Sequence, residues 1–255
     1  MVEIVFLGVG EAFDEALPNT SVLIRYHVQS SPLSLLLDCG FTATPQFWKE
    51  EPDPDALTGL WISHFHGDHY LGVPALLVRF WEEGRERPIT ILGQAGVEAA
   101  VLHALDVAYP GFQEKIRFPL HFVEVEPGRC IEILGLSFET AENDHSQRDL
   151  ALKLNAGGIS IYYSGDGRPT PESMQLAKGC DLIIHEAFSV DQEVPGHGNM
   201  KSSVEMAEES GASQLALVHI QRKERPGVIE RLKVRKPGPG GLRVIVPEPG
   251  HRMKL

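Results

Sequence analysis

The chain has 255 residues and a formal net charge of -12, with 25 glycines and 18 prolines scattered between apolar runs. That length suits one α/β core, and the turn residues gather into no linker, repeat or low-complexity tract, so residues 1–255 read as a single domain. The acidic balance excludes a protein that grips long nucleic acid through its general surface, which needs many cations against phosphates. A small anionic substrate stays open, because bound cations set the local charge of a metal site.

The opening MVEIVFLGVG has no basic leader or small-residue cleavage site, and no apolar run approaches the roughly 18 residues of a membrane span. Cys39, Cys130 and Cys180 are odd in number, widely spaced and without a CxxC pair. This fits reduced, mostly buried thiols, a cytoplasmic protein and no cysteine metal site.

Strands are expected at Val2–Leu7, Ser21–Val28 and Ser34–Leu37, broken by Gly8, Pro18 and Gly40, then a short helix near Pro45–Glu51 and a strand at Gly59–Ser63. The polar stretch His64–His69 follows that strand directly, a usual position for chemistry. Helical spacing of Leu71, Val73, Leu76, Leu77, Phe80 and Trp81 predicts a helix over Tyr70–Glu83, followed by a strand at Ile89–Leu92 and a helix at Ala95–Ala108. Strands return at His121–Val125, Ile131–Phe138, Leu150–Leu154 and Ile159–Tyr163, with gaps short enough for antiparallel pairing.

The last third alternates again. Helices are expected near Pro171–Lys178, Ser202–Ser210 and Gly227–Lys233, and strands at Asp181–His185, Gln214–His219 and Leu242–Val246. Two similar halves, each strands first and β/α units after, predict two sheets packed together with helices outside.

His64-Phe65-His66-Gly67-Asp68-His69 places three imidazoles and a carboxylate within six residues. One histidine is commonly a surface or core residue; three with an aspartate in a loop after a buried strand predict a metal site, with Gly67 relieving backbone crowding. This cluster resembles the HxHxDH signature of the metallo-β-lactamase superfamily. The resemblance continues in order through His145 in ENDHS, Asp166 in YSGDGRP and His219 at the end of LALVH. It implies a metallo-β-lactamase αββα four-layer sandwich of the α/β class.

By the same resemblance His64, His66 and His145 hold one metal, Asp68, His69 and His219 hold a second, and Asp166 bridges them. Two ions roughly 3.5 to 4 Å apart lower the pKa of a shared water and stabilise attacking and leaving oxygens. The implied nucleophile is a metal-bridging hydroxide, with Asp68 also accepting a hydrogen bond from it. Two ligand carboxylates against two dications leave the naked site at about +2, which favours an anionic substrate such as a phosphate or sulfate ester. Zinc suits this donor set first, with manganese and iron as alternatives.

The stretches YSGDGRPTPE, DLIIHEAF, PGHGNMKSSVEMAEESGA and LALVHIQRKER, with FLGVGEAFD and PNTSVLI near the start, resemble the ribonuclease Z branch over nearly the whole length. That branch implies that His197 contacts the phosphate or protonates the leaving oxygen while Glu186 orients it. Its tRNA-processing members carry a long arm inserted between the residues matching His145 and Asp166, where only about twenty residues stand here. Gly167 and Gly198-Asn199 replace hydroxyl residues, and HIQRKER replaces a serine-containing ending. The chain is therefore more similar to armless relatives such as phosphoribosyl cyclic phosphodiesterase, without that relative's cysteine-rich zinc site.

The expected function is thus a dinuclear metal-dependent hydrolase, a phosphodiesterase acting on a small or nucleotide-like phosphodiester. A ribonuclease Z-like RNA endonuclease, an iron-dependent dioxygenase and a non-catalytic accessory protein of the same fold are the alternatives. Eight Lys or Arg against two Glu between Arg222 and Arg243 could line a groove, but charge runs are commonly solvated faces, the reading preferred here. Members of the branch are commonly dimers; no sequence feature decides for or against a homodimer. His185, inside an apolar strand, reads as structural, and His27, His103, His121 and His251 have no partner spacing.

Overall fold

The computed structural model describes residues 1–29, 31–235 and 241–255. Two seven-stranded sheets face one another. The first half supplies β1 (Glu3–Gly8), β2 (Ser21–Val28), β3 (Ser31–Leu37), α1 (Ala43–Glu50), β4 (Gly59–Ile62), α2 (Gly67–Tyr70), α3 (Val73–Glu82), β5 (Ile89–Gly93), α4 (Val97–Ala108) and β6 (Leu120–Glu124). The second half supplies β7 (Ile131–Ile133), β8 (Leu136–Asn143), β9 (Asp149–Ala156), β10 (Ile159–Tyr163), α5 (Pro171–Ala177), β11 (Leu182–Glu186), α6 (Met200–Ser210), β12 (Gln214–Val218), α7 (Arg225–Val234), β13 (Arg243–Ile245) and β14 (Arg252–Lys254).

The sheet orders are β14-β1-β2-β3-β4-β5-β6 and β13-β12-β11-β10-β9-β8-β7. Each sheet pairs its early strands antiparallel and its later ones in parallel, from β3 to β6 in one and from β10 to β13 in the other. The two similar halves expected from the sequence are therefore present, one per sheet except for β14, which crosses back from the chain's end to pair with β1.

Side-chain alternation explains the layers. In β1, Ile4 and Phe6 enter the core between the sheets, whereas Val5 and Leu7 enter a second core under α1, α3 and α4. In β12, Ala216 and Val218 face the inter-sheet core while Leu215 and Leu217 pack with α5, α6 and α7 residues. Strands covered on both faces must be apolar at odd and even positions alike, which is why they read as continuous apolar runs. Helices, two sheets and helices again make the expected four-layer α/β arrangement.

The C-terminal ends of β3, β4, β10, β11 and β12 carry Asp38, Ser63-His64, Asp166, Glu186 and His219 in turn. Parallel strands end on the same edge, and such edges are where open α/β sheets bind ligands.

Three local expectations need correction. The helix expected over Tyr70–Glu83 starts only at Val73, as α3, and Tyr70 instead closes the single turn α2 that begins in the expected loop, because Leu71 and Gly72 fold back onto the Asp38–Gly40 turn. Gly72 N–H donates to the Cys39 carbonyl at 2.9 Å, and a Cβ on Gly40 would sit 1.9 Å from the Asp68 carbonyl oxygen. The strand expected over Ile131–Phe138 is a hairpin, turned at Leu134 (φ 55°) and Gly135 (φ 71°). The strand β14 is too short, with one buried residue, to leave a periodic signal.

Candidate metal centre

The His64–His69 stretch runs off β4 into α2, whose one turn holds Asp68 and His69 on the buried side. Its backbone is pinned by Cys39 N–H donating to the His69 carbonyl at 2.7 Å. Opposite it, Asp144 and Arg168 exchange backbone hydrogen bonds at 3.0 Å, which brings the segments of His145 and Asp166 together. Gly165, at φ 62°, lets Asp166 swing inward; a Cβ there would lie 2.3 Å from an Asp149 carboxylate oxygen.

The seven residues expected as ligands converge. His64 Nε2 and His145 Nε2 each lie 3.0 Å from His66 Nδ1. The Asp68 carboxylate is 3.2 Å from His219 Nε2 and 3.3 Å from His69 Nε2. Asp166 stands between the two groups, its Oδ2 3.4 Å from both His69 Nε2 and His219 Nε2 and 3.9 Å from His64 Nε2. In each of the sets His64/His66/His145/Asp166 and Asp68/His69/Asp166/His219 the donor atoms lie within 4.8 Å of one another. Atoms held about 2 Å from one ion stand roughly 3 to 4 Å apart, so this spacing fits a shared cation in each set.

His69 Nε2, Asp166 Oδ1 and His219 Nδ1 are among the buried atoms without a hydrogen-bond partner, a costly state that a cation would relieve for the first two. Which ring nitrogen faces inward is fixed from behind. His64 Nδ1 lies 3.0 Å from Asp149, His69 Nδ1 2.7 Å from Asp38, and His145 Nδ1 2.6 Å from the Gly196 carbonyl. Donating Nδ1–H to Asp38 and to the Gly196 carbonyl leaves the Nε2 lone pairs of His69 and His145 for an ion, while His64 Nδ1 also hydrogen-bonds with Ser63 Oγ at 3.0 Å.

Asp38 and Asp149 are site residues that the motif reading missed. Asp38 is fully buried at φ 56° and also accepts from Ser63 Oγ at 2.8 Å and Tyr163 OH at 2.6 Å. A signal existed: an acid ending the apolar run LLLDCG would be buried and must have partners. Asp149 likewise opens the buried strand β9 and accepts the Asp166 backbone N–H at 3.2 Å. His219 itself sits at φ 50°, a left-handed conformation that imidazole side chains adopt sparingly and that often marks functional positions.

A third set joins Asp166 and His219 to Glu186 and His197. Glu186 is fully buried, and its Oε1 accepts the backbone N–H of Gly167 and, at 2.8 Å, of Gly198. Its Oε2 lies 3.0 Å from His197 Nδ1 and 3.4 Å from His219 Nδ1. The His197 ring stands 5.2 Å from that of His145 and 6.2 Å from that of His219. His185 is buried behind this set, its Nδ1 2.8 Å from the Glu186 carbonyl, and Ser203 Oγ donates to the same carbonyl. Beyond the ligands counted from the sequence, Asp38, Asp149 and Glu186 add three buried carboxyl groups, and burial beside Asp166 holds that of Asp149 well above the usual carboxylate range.

These charges set the protonation of the histidines. Burial, with cationic His69 next, holds His64 well below the ordinary imidazole value, and burial with His145 lowers His66. Burial works against a charged His69 and His219, but Asp166 with Asp38 raises the first well above its ordinary value, and Asp166 with Asp68 and Glu186 pushes the second up to about 10. The carboxylates thus favour protonated His69 and His219 in a metal-free site, and an ion bound there would displace those protons. Zinc added to weakly buffered metal-free protein is expected to release protons at pH 7, to bind more weakly as pH falls, and to release fewer protons as pH nears 10. An indicator-dye titration reads this directly; binding without proton release contradicts it.

Outside the site, Cys39 and Cys180 are buried and Cys130 is exposed, all three as free thiols. The basic stretch is largely neutralised: Arg222 pairs with Glu11 and Glu15, Arg225 with Glu248, Arg231 with Asp191, Lys233 with Glu230 and Arg235 with Glu208. Lys236 lies outside the described residues. His27, His103 and His121 are exposed and away from all three sets. Among the described residues no helix is long and apolar enough to cross a membrane.

A family model described as the anti-Pycsar protein Apyc1 matches residues 2–233. The chain belongs to that family. It is also 27% identical to ribonuclease Z of Methanothermobacter thermautotrophicus, over 90% of each chain. Among solved structures, human tRNase Z, short form, superposes with a TM-score of 0.75 at 19% identity, covering 99% of this chain and 98% of that one. A diphosphatase of the PhnP family gives 0.73 at 17% identity, covering 100% and 98%. The metallo-β-lactamase fold and the ribonuclease Z-like, metal-dependent hydrolase character expected from the sequence are borne out by these likenesses.

Proposed function

We propose that this chain is a phosphodiesterase for a small or nucleotide-like phosphodiester. In this reading Asp166 is shared between one divalent ion on His64, His66 and His145 and a second on Asp68, His69 and His219. Zinc is the first candidate and the cytoplasm the expected compartment. The observation that carries the proposal is the Glu186–His197 pair, joined to the donor cluster through His219. A buried carboxylate holding an imidazole beside two cation positions supplies a proton donor where a phosphodiester would sit, which oxygen chemistry at a single iron does not require.

Two divalent ions bound there lower the pKa of water and offset charge on the phosphoryl oxygens. The chain's own groups do the rest. Asp68 accepts a hydrogen bond from the attacking hydroxide and aims its lone pair at phosphorus. The hydroxide oxygen bonds to phosphorus, and the bond to the leaving oxygen breaks with its electron pair on that oxygen. His197 Nε2–H supplies the proton, Glu186 holding Nδ1–H throughout. The products are a phosphomonoester and an alcohol, with one water consumed.

A small substrate is favoured over tRNA by what lies between His145 and Asp166. That segment is the hairpin of β9 and β10, closed by the tight turn Gly157-Gly158, with no room for a gripping arm. The test is metal content together with turnover of cyclic nucleotides, bis-p-nitrophenyl phosphate and a precursor tRNA. Two ions per chain and turnover of the small diesters are expected. Cleavage of the tRNA alone moves the ribonuclease Z function to the front, and one iron without hydrolysis moves a dioxygenase or accessory protein there.

A further inference from the structure

His197 stands on the loop Gly196-His197-Gly198, between two residues with little steric restraint of their own. Its one side-chain hydrogen bond, Nδ1 to Glu186, fixes a point on the ring and leaves rotation about that contact free. A second restraint comes from Phe188. The two rings stack face to face, with centroids 4.2 Å apart and planes 19° from parallel. The His219 ring lies 6.2 Å from each of them, 12° from the plane of His197 and 32° from that of Phe188.

The backbone makes Phe188 a firm base. Its N–H donates to the Gly198 carbonyl and its carbonyl accepts from Gln221 N–H, both at 3.0 Å. One residue therefore ties the His197 loop to the segment that follows His219. Glu186, the last residue of β11, and Phe188, two residues on, both meet the His197 ring. The first holds the edge of the His197 ring and the second covers its face.

We propose that Phe188 is a positioning residue for the hydrolysis, setting the plane of the His197 ring so that Nε2–H points at the leaving oxygen. The proposal rests on the proton-donor role given to His197 above. Loss of the stack leaves both ion positions and the Glu186 contact intact but lets the ring turn about Nδ1. The cost then appears where protonation matters, at poor leaving groups, and not at good ones.

The experiment compares Phe188→Leu, Phe188→Tyr and His197→Asn on phosphodiesters with leaving groups running from p-nitrophenol to an alkyl alcohol. Metal content is checked in each variant, and His197 ring-proton shifts are recorded by NMR in the metal-free proteins. Phe188→Leu is expected to lose on the order of 10-fold in kcat with the alkyl leaving group and under about twofold with p-nitrophenol, a fraction of what a general acid contributes. Phe188→Tyr should restore the rate. The His197 signal should be shifted upfield by the stacked ring in the native chain and the tyrosine variant, and lose that shift in the leucine variant. A leaving-group slope for His197→Asn with none for Phe188→Leu overturns the inference alone. A flat series for both overturns the proton-donor role as well, and an unchanged His197 signal in Phe188→Leu removes the stack itself.

Discussion

Asp166→Ala is expected to empty both ion positions and to cut kcat on any phosphodiester by on the order of 10⁴-fold or more, the size of loss that follows when catalytic groups acting as a unit lose a member. The size follows from position. Asp166 is the residue common to all three donor sets, and its carboxylate is nearly completely buried. Burial alone would favour the neutral acid, yet His219 and His69 outweigh it and keep the group well below the usual carboxylate range. Alanine removes the anion that these two cationic rings face and leaves them opposed across a gap. Metal analysis should then show next to no bound ion per chain, and activity should not return at high zinc. Full occupancy with only a modest rate loss would mean that Asp166 bridges nothing.

Much of this centre was legible because chemistry and chain order coincide. His64, His66, Asp68 and His69 lie within six residues, and a motif that dense has few structural explanations. His219 ends an apolar run, Asp166 follows one with two residues between, and His145 follows a strand, so strand recognition and ligand recognition supported one another. The residues that aim the ligands were harder to see. Asp38 and Asp149 act from 31 and 85 positions away from the rings they orient, His69 and His64, and a lone acid at a strand end carries no spacing signal. Ser63 and Tyr163 act on Asp38 at one further remove. Phe188 is hidden for a different reason: in HEAF it reads as the next apolar residue of a strand, and only the folded loop brings His197 against its face. The split of α2 from α3 was equally invisible, because Leu71 and Gly72 fit helical spacing and are bent by contact with Gly40, 32 positions earlier.

Glu186→Gln is expected to keep both ions but to lower kcat on poor leaving groups by about 10² to 10³, within the usual contribution of a positioned acid. Glutamine keeps the size but has a single accepting oxygen: turned to the Gly167 and Gly198 N–H groups, it points its NH2 at His197 Nδ1. His197 then loses both its acceptor and the charge beside it. Burial works against a protonated His197, and Glu186, by hydrogen bond and by charge, raises it above the ordinary imidazole value nonetheless. The sign follows directly: a reaction needing the protonated ring loses rate as pH rises through that raised value, so the native chain keeps its proton donor above the ordinary range near 6.5. Without the carboxylate the value drops, and the alkaline limb of the kcat profile moves toward acid. The profile should be taken with an alkyl leaving group, because p-nitrophenolate departs without a proton and would hide the shift. An alkaline limb that stays in place would show that the acid is another group, and Glu186 would then serve chiefly to close the buried hydrogen bonds of Gly167 and Gly198.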